Sequence, residues 1–103
     1  MIRASCGDLA FRLQGHSGAA PAGEDLVCAG VTTLCYALAQ TVANLAQEGL
    51  LQEPPTLLLE PGQAHISATP LPQAAVYLKG AFRTATEGMR LLAKQYPEAV
   101  SLV

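Results

Sequence analysis

The sequence predicts an α+β fold, a small mixed sheet of about five strands with two helices packed on it, in chain order ββαββαβ. Three observations predict it. Apolar and polar residues alternate near the N-terminus and again between residues 64 and 69, which is the period of a strand. Two longer stretches, after Asp25 and after Pro72, repeat apolar residues every three or four positions, which is the period of a helix. Turn chemistry separates each stretch from the next. The size agrees: 103 residues, half of them apolar, bury roughly two-thirds of the unfolded surface, enough for one modest core, so residues 1–103 are expected to form a single domain. With 14% charged residues and a net charge of -2, the composition argues against disorder and against a global pull toward polyanions.

The first fifteen residues read as a hairpin. Ile2, Ala4 and Cys6 alternate with Arg3 and Ser5, then Leu9, Phe11 and Leu13 with Ala10, Arg12 and Gln14, and Gly7-Asp8 is the expected tight turn with Gly at positive φ. Residues 15–24, GHSGAAPAGE, are a loop rich in Gly and Ala. Asp25 is placed to cap a long helix running to about Glu48 and ended by Gly49. Its run from Leu26 to Gln47 carries no charge and is long enough to cross a bilayer. Thr33, Gln40, Asn44 and Gln47 nevertheless form a polar stripe along it, and its flanks are acidic, so a core helix with one wet edge is expected and no membrane contact.

Pro54-Pro55 breaks the chain before a short buried strand from Thr56 to Leu59. Glu60-Pro61-Gly62-Gln63 has the Pro and Gly positions of a type II turn, and Ala64 to Thr69 returns antiparallel with Ala64, Ile66 and Ala68 on one face. Pro70 and Pro72 introduce a second helix whose core stripe is Leu78, Ala81, Phe82, Ala85, Met89, Leu92 and Tyr96, while Lys79, Arg83, Arg90 and Lys94 share the opposite face with Glu87. Pro97 stops it, and Ala99 to Val103 forms the last strand.

Chemistry points first to His16 and Cys28, twelve residues apart across the loop. A thiolate is the nucleophile of thiol catalysis, and the first turn of a helix offers N–H groups and partial positive charge that favour an anion. An imidazole nearby would activate the sulfur and later protonate a leaving amine. The plain alternative is that Cys28 fills a helix–sheet contact, since free Cys is among the most buried residues. Cys6 and Cys35 lie on apolar patterns and read as packing; His65, on a polar strand face, reads as solvated. Asp25 fits two roles, helix cap or orienter of the imidazole. Three cysteines form no even framework, and no leader precedes them, so reduced thiols and a cytoplasmic setting are expected. Metal-ligand spacing is missing, and the glycines at 15, 18 and 23 match no phosphate-loop pattern, so no metal and no cofactor are called for. The basic face of the second helix is read as a solvated surface, with nucleic acid as the minority partner.

Gln14-Gly15-His16-Ser17-Gly18 followed by Glu24-Asp25-Leu26-Val27-Cys28-Ala29-Gly30-Val31-Thr32-Thr33-Leu34 resembles the ribosomal-processing cysteine protease family, Prp. Gly88-Met89-Arg90-Leu91-Leu92-Ala93-Lys94-Gln95-Tyr96-Pro97 resembles that family's C-terminal pattern, so the resemblance spans nearly the whole chain. It implies a cytoplasmic bacterial cysteine endopeptidase, generally a homodimer, that removes an N-terminal extension from a large-subunit ribosomal protein precursor. It implies Cys28 as nucleophile and His16 as general base, leaves Asp25 between cap and orienter, and makes the loop containing Ser17, Gly18 and Gly23 a mobile gate over the substrate groove. A gate of this kind would leave the dyad unassembled until substrate binds. Thr32 replaces the family's usual Ser and Gly30 its usual Ala, both keeping a small side chain, and Ala19 stands where an aromatic residue is commoner, which bears on substrate preference. Two other classes remain: a catalytically idle ribosome- or RNA-binding module using the basic helix, and a small-molecule thiol hydrolase, for which so short a chain has little interior to spare.

Overall fold

Ile2 and Ala4 turn inward and Arg3 and Ser5 outward along the first strand, β1 (Ile2–Cys6), in the computed structural model, which describes residues 1–16 and 25–103. The same alternation makes β2 (Ala10–Gln14), with Phe11 and Leu13 inward. Helix α1 (Leu26–Gln47) follows, then β3 (Thr56–Glu60), β4 (Gln63–Ser67), a short 3-10 turn at Pro72–Ala74, α2 (Ala75–Gln95) and β5 (Val100–Leu102). The order ββαββαβ is the expected one. The five strands form one sheet in the order β3-β4-β2-β1-β5, antiparallel except for the parallel pair β1 and β5. It is a mixed sheet because α2 carries the chain back along the sheet before β5, the crossover that a parallel pair requires.

Both helices pack on one face, α1 toward β4 and α2 over β1 and β5. The core between them joins Phe11, Ile66, Leu78, Phe82, Met89, Val42 and Val100, all fully buried. The opposite face of the sheet carries Arg3, Ser5, Arg12, Gln14 and His65, and among the described residues no helix covers it. Helix α1 is long and apolar enough to cross a membrane, yet Val27, Val31, Cys35, Leu38, Val42 and Leu45 run along it as a buried stripe against the rest of the molecule. Its C-terminus closes as a Schellman motif: Gly49 takes φ +74°, its N–H donates to Ala46 O at 3.1 Å, and Leu50 N–H donates to Leu45 O at 3.0 Å.

Three local expectations give way. Gly7 does not take positive φ; β1 ends at Cys6, β2 begins at Ala10 and Gly7 N–H donates to Ala10 O at 2.7 Å, so three residues, Gly7 to Leu9, connect the strands instead of two. The strand at 56–60 is not buried. It is the sheet edge, and Leu57, though it shares a face with Ile66, stays 40% exposed because among the described residues no element lies beyond β3 to cover it. Tyr96 leaves the core stripe of α2, because it is the helix C-cap, with φ -128° and ψ 63°, immediately before Pro97. The type II turn is present, with Gly62 at φ +76° between paired Glu60 and Gln63.

Candidate active site

Two strand ends and the first turns of a helix build one cleft. The end of β2 delivers Leu13, Gly15 and His16; the β3–β4 hairpin contributes Leu59 to Ala64; and α1 lines the other wall with Cys28, Val31, Thr32, Cys35 and Tyr36. The cleft encloses about 300 Å³, with an apolar floor from Ile2, Leu13, Val31 and Ala64. The helical wall follows from periodicity, since positions 28, 31, 32, 35 and 36 recur on one helical face.

Cys28 is half-buried in the first turn of α1, and His16 is exposed at the mouth. Sequence places these two on either side of the loop, and the fold brings both to the same cleft. Asp25 is the N-cap of α1: its backbone is extended, and its Oδ1 accepts the Cys28 N–H at 3.0 Å. The cap is therefore observed, on the residue next to the thiol's own helical turn. Ser17, Gly18 and Gly23, the expected gate, lie outside the described residues.

Cys35 lies two turns deeper on the same wall, buried, and its thiol is pushed up to about 11 by desolvation, with a smaller push from Cys6. Burial likewise pushes Cys6 up, against opposing pulls from a Thr86 hydrogen bond and from Arg90. Both match the packing role expected of them, and none of the three cysteines is in a disulfide. His65 sits on β4 across from Arg12, on the uncovered sheet face, and does not line the cleft. Among the described residues, no group of His, Cys, Asp or Glu could hold a metal.

Residue chemistry alone did not single out the β3–β4 turn. It lines the cleft through Glu60, Pro61 and Gly62, and the Gly15 N–H donates to Gly62 O at 2.8 Å. The available signal was the turn motif itself, which says nothing about which distant residue it will meet. The basic face of α2 forms a separate groove of about 670 Å³ with Lys79, Arg83 and Arg90, but Asp8 and Glu87 line it too, and Glu87 holds the Arg90 guanidinium at 2.6 Å.

A family model described as cysteine protease Prp matches residues 2–101. The chain belongs to the Prp cysteine protease family. Solved structures share the Prp fold across their lengths. An essential ribosomal processing protease Prp from S. aureus, in complex with a covalently linked product peptide, superposes with a TM-score of 0.73 at 19% identity, covering 98% of this chain and 94% of that one. The same S. aureus protease with a substrate peptide gives 0.72 at 18% identity, with 100% and 98% covered. A Streptococcus mutans protein gives 0.70 at 24% identity, with 99% and 91% covered. No curated protein matches the chain in sequence. The Prp family named from the Gly-His and Asp-x-x-Cys motifs is thus the family found, and its α+β fold is the one observed.

Proposed function

We propose that the chain is a ribosomal processing endopeptidase that removes an N-terminal extension from a large-subunit ribosomal protein, using Cys28 as nucleophile and His16 as general base. The observation that carries this reading is the meeting of Cys28 and His16 at one cleft, with the thiol in the opening turn of a helix. Membership of the Prp family supports it, as do the peptides bound to the S. aureus protease.

In this mechanism His16 takes the thiol proton and the Cys28 sulfur attacks the scissile carbonyl carbon. The carbonyl oxygen becomes an oxyanion. Cys28 N–H is engaged by Asp25, so the donors nearest the sulfur that lack an intrahelical acceptor are the N–H groups of Leu26 and Val27. Collapse breaks the C–N bond as His16 returns the proton to the leaving amine, and water then hydrolyses the thioester.

The reading extends to a homodimer in the cytoplasm. Helix α1 supports the dimer, since Leu26 and Tyr36 remain 79% and 59% exposed on a helix whose other side is already packed. Three cysteines outside any disulfide fit a reducing compartment.

The test is cleavage of the organism's own ribosomal precursor, or a peptide spanning its extension, by wild type, Cys28→Ser and His16→Ala, read by mass spectrometry. One site-specific cut by wild type, reduced more than about 10³-fold in both variants, is expected. No cut by wild type would overturn the reading and return attention to ribosome binding.

A further inference from the structure

We propose that Gly62 is a positioning residue for His16: the bare turn between β3 and β4 is the surface against which the imidazole rests, and it sets where the ring stands in the cleft. The inference rests on the reading of His16 as general base and adds a residue to it from the other side of the fold.

The contact is close and covers one edge of the ring. A Cβ built on Gly62 would come 2.7 Å from His16 Nε2, 3.1 Å from Cε1 and 3.4 Å from Cδ2. The first of these distances lies well inside contact range and the second is tight, so a side chain at 62 displaces the imidazole. The backbone carries the same link. Gly15, the residue before His16, donates its N–H to Gly62 O at 2.8 Å, so the peptide that launches His16 is tied to the peptide that the ring touches. Gly15 is pinned from behind as well, at φ +103° with the Met1 carbonyl packed against its Cα.

Turn geometry alone would also favour glycine at φ +76°, and Gly49 separates the two demands. Gly49 has nearly the same φ, +74°, but a Cβ there meets nothing within 4 Å. Alanine at either site therefore carries similar backbone strain, whereas only at 62 does it strike the imidazole. Asparagine tolerates positive φ better than other side chains, so Gly62→Asn relieves the strain and keeps the clash.

The experiment compares Gly62→Ala, Gly62→Asn and Gly49→Ala with wild type in steady-state peptide cleavage across pH, thermal unfolding, and NMR of the imidazole Cε1–H signals. The chain has two histidines, so His65 serves as internal reference. The expected result is a fall in kcat of about 10- to 100-fold in both Gly62 variants, with KM within about threefold and a displaced His16 Cε1–H signal. Gly49→Ala should lose about as much Tm as Gly62→Ala yet keep wild-type kcat and His16 signals. Folded Gly62 variants with wild-type kcat and unmoved His16 signals would overturn the proposal, as would an equal loss in Gly49→Ala. Wild-type cleavage that survives His16→Ala would instead overturn the catalytic reading, and the NMR comparison would still decide whether Gly62 places the ring.

Discussion

Cys28 and Cys35 share a helix, a face and a cleft, yet their surroundings differ. Cys28 stands in the opening turn, half-buried, with a capping carboxylate on its N–H. Cys35 stands two turns further in, closed over by the sheet, where burial holds the proton on the sulfur. The same side chain serves as reactive candidate or as packing according to how far it lies from the helix terminus. The unsatisfied N–H groups and partial positive charge that favour an anion fade within the first turn, and desolvation takes over beyond it.

The largest test of that contrast is chemical. Iodoacetamide at pH 8 should alkylate Cys28 at least about 100-fold faster than Cys35, since a thiol titrating at about 11 is roughly one part in a thousand ionised there. Peptide mapping by mass spectrometry reads each site separately. Equal rates would erase the distinction, and a slower Cys28 in His16→Ala would tie its reactivity to the imidazole.

A smaller effect sharpens the Cys28 end. Asp25→Ala removes the cap and should cost about 1 kcal/mol, or about 4–8 °C in Tm, while Asp25→Asn keeps a capping oxygen and should stay within about 2 °C. Cleavage by Asp25→Asn at the wild-type rate would confine Asp25 to capping; a selective loss of kcat would add a role for its charge.

A pH-dependent effect belongs to Cys35. Its folded titration lies above the unfolded one, so the native state holds the proton after the unfolded chain has lost it. Stability from this source is intact below about pH 9 and declines toward pH 11. Urea midpoints measured at pH 8 and pH 10.5 should fall further in wild type than in Cys35→Ala. Identical slopes would mean that Cys35 is not shielded as its burial implies.

Most of this architecture was legible because it is local. The period of Leu78, Phe82, Ala85 and Met89, the Asp25 cap and the Gly49 stop each depend on a few neighbouring residues, and each appears where sequence put it. The misses are long-range. Thr56 to Leu59 looks like a buried strand because leucine is apolar, but burial depends on strand order, and β3 falls at the edge. Gly7-Asp8 has the composition of a two-residue turn, yet the register set by Cys6 and Phe11 lengthens the loop. At the cleft, Cys28 and His16 were visible from their chemistry, whereas Gly62 has none to display and gains its place only when the sheet brings β4 beside β2.

The parallel pairing of β1 with β5 has a practical consequence. β1 starts at the cleft, where Ile2 lines the floor and the Met1 carbonyl packs on Gly15, whereas β5 runs alongside it and carries Val103 away from that end. Residues fused ahead of Met1 therefore emerge beside Cys28 and His16 as a tethered peptide, at an effective concentration on the order of millimolar for a short flexible linker. An affinity tag placed there would compete with substrate in cis, and one placed after Val103 would leave the cleft open.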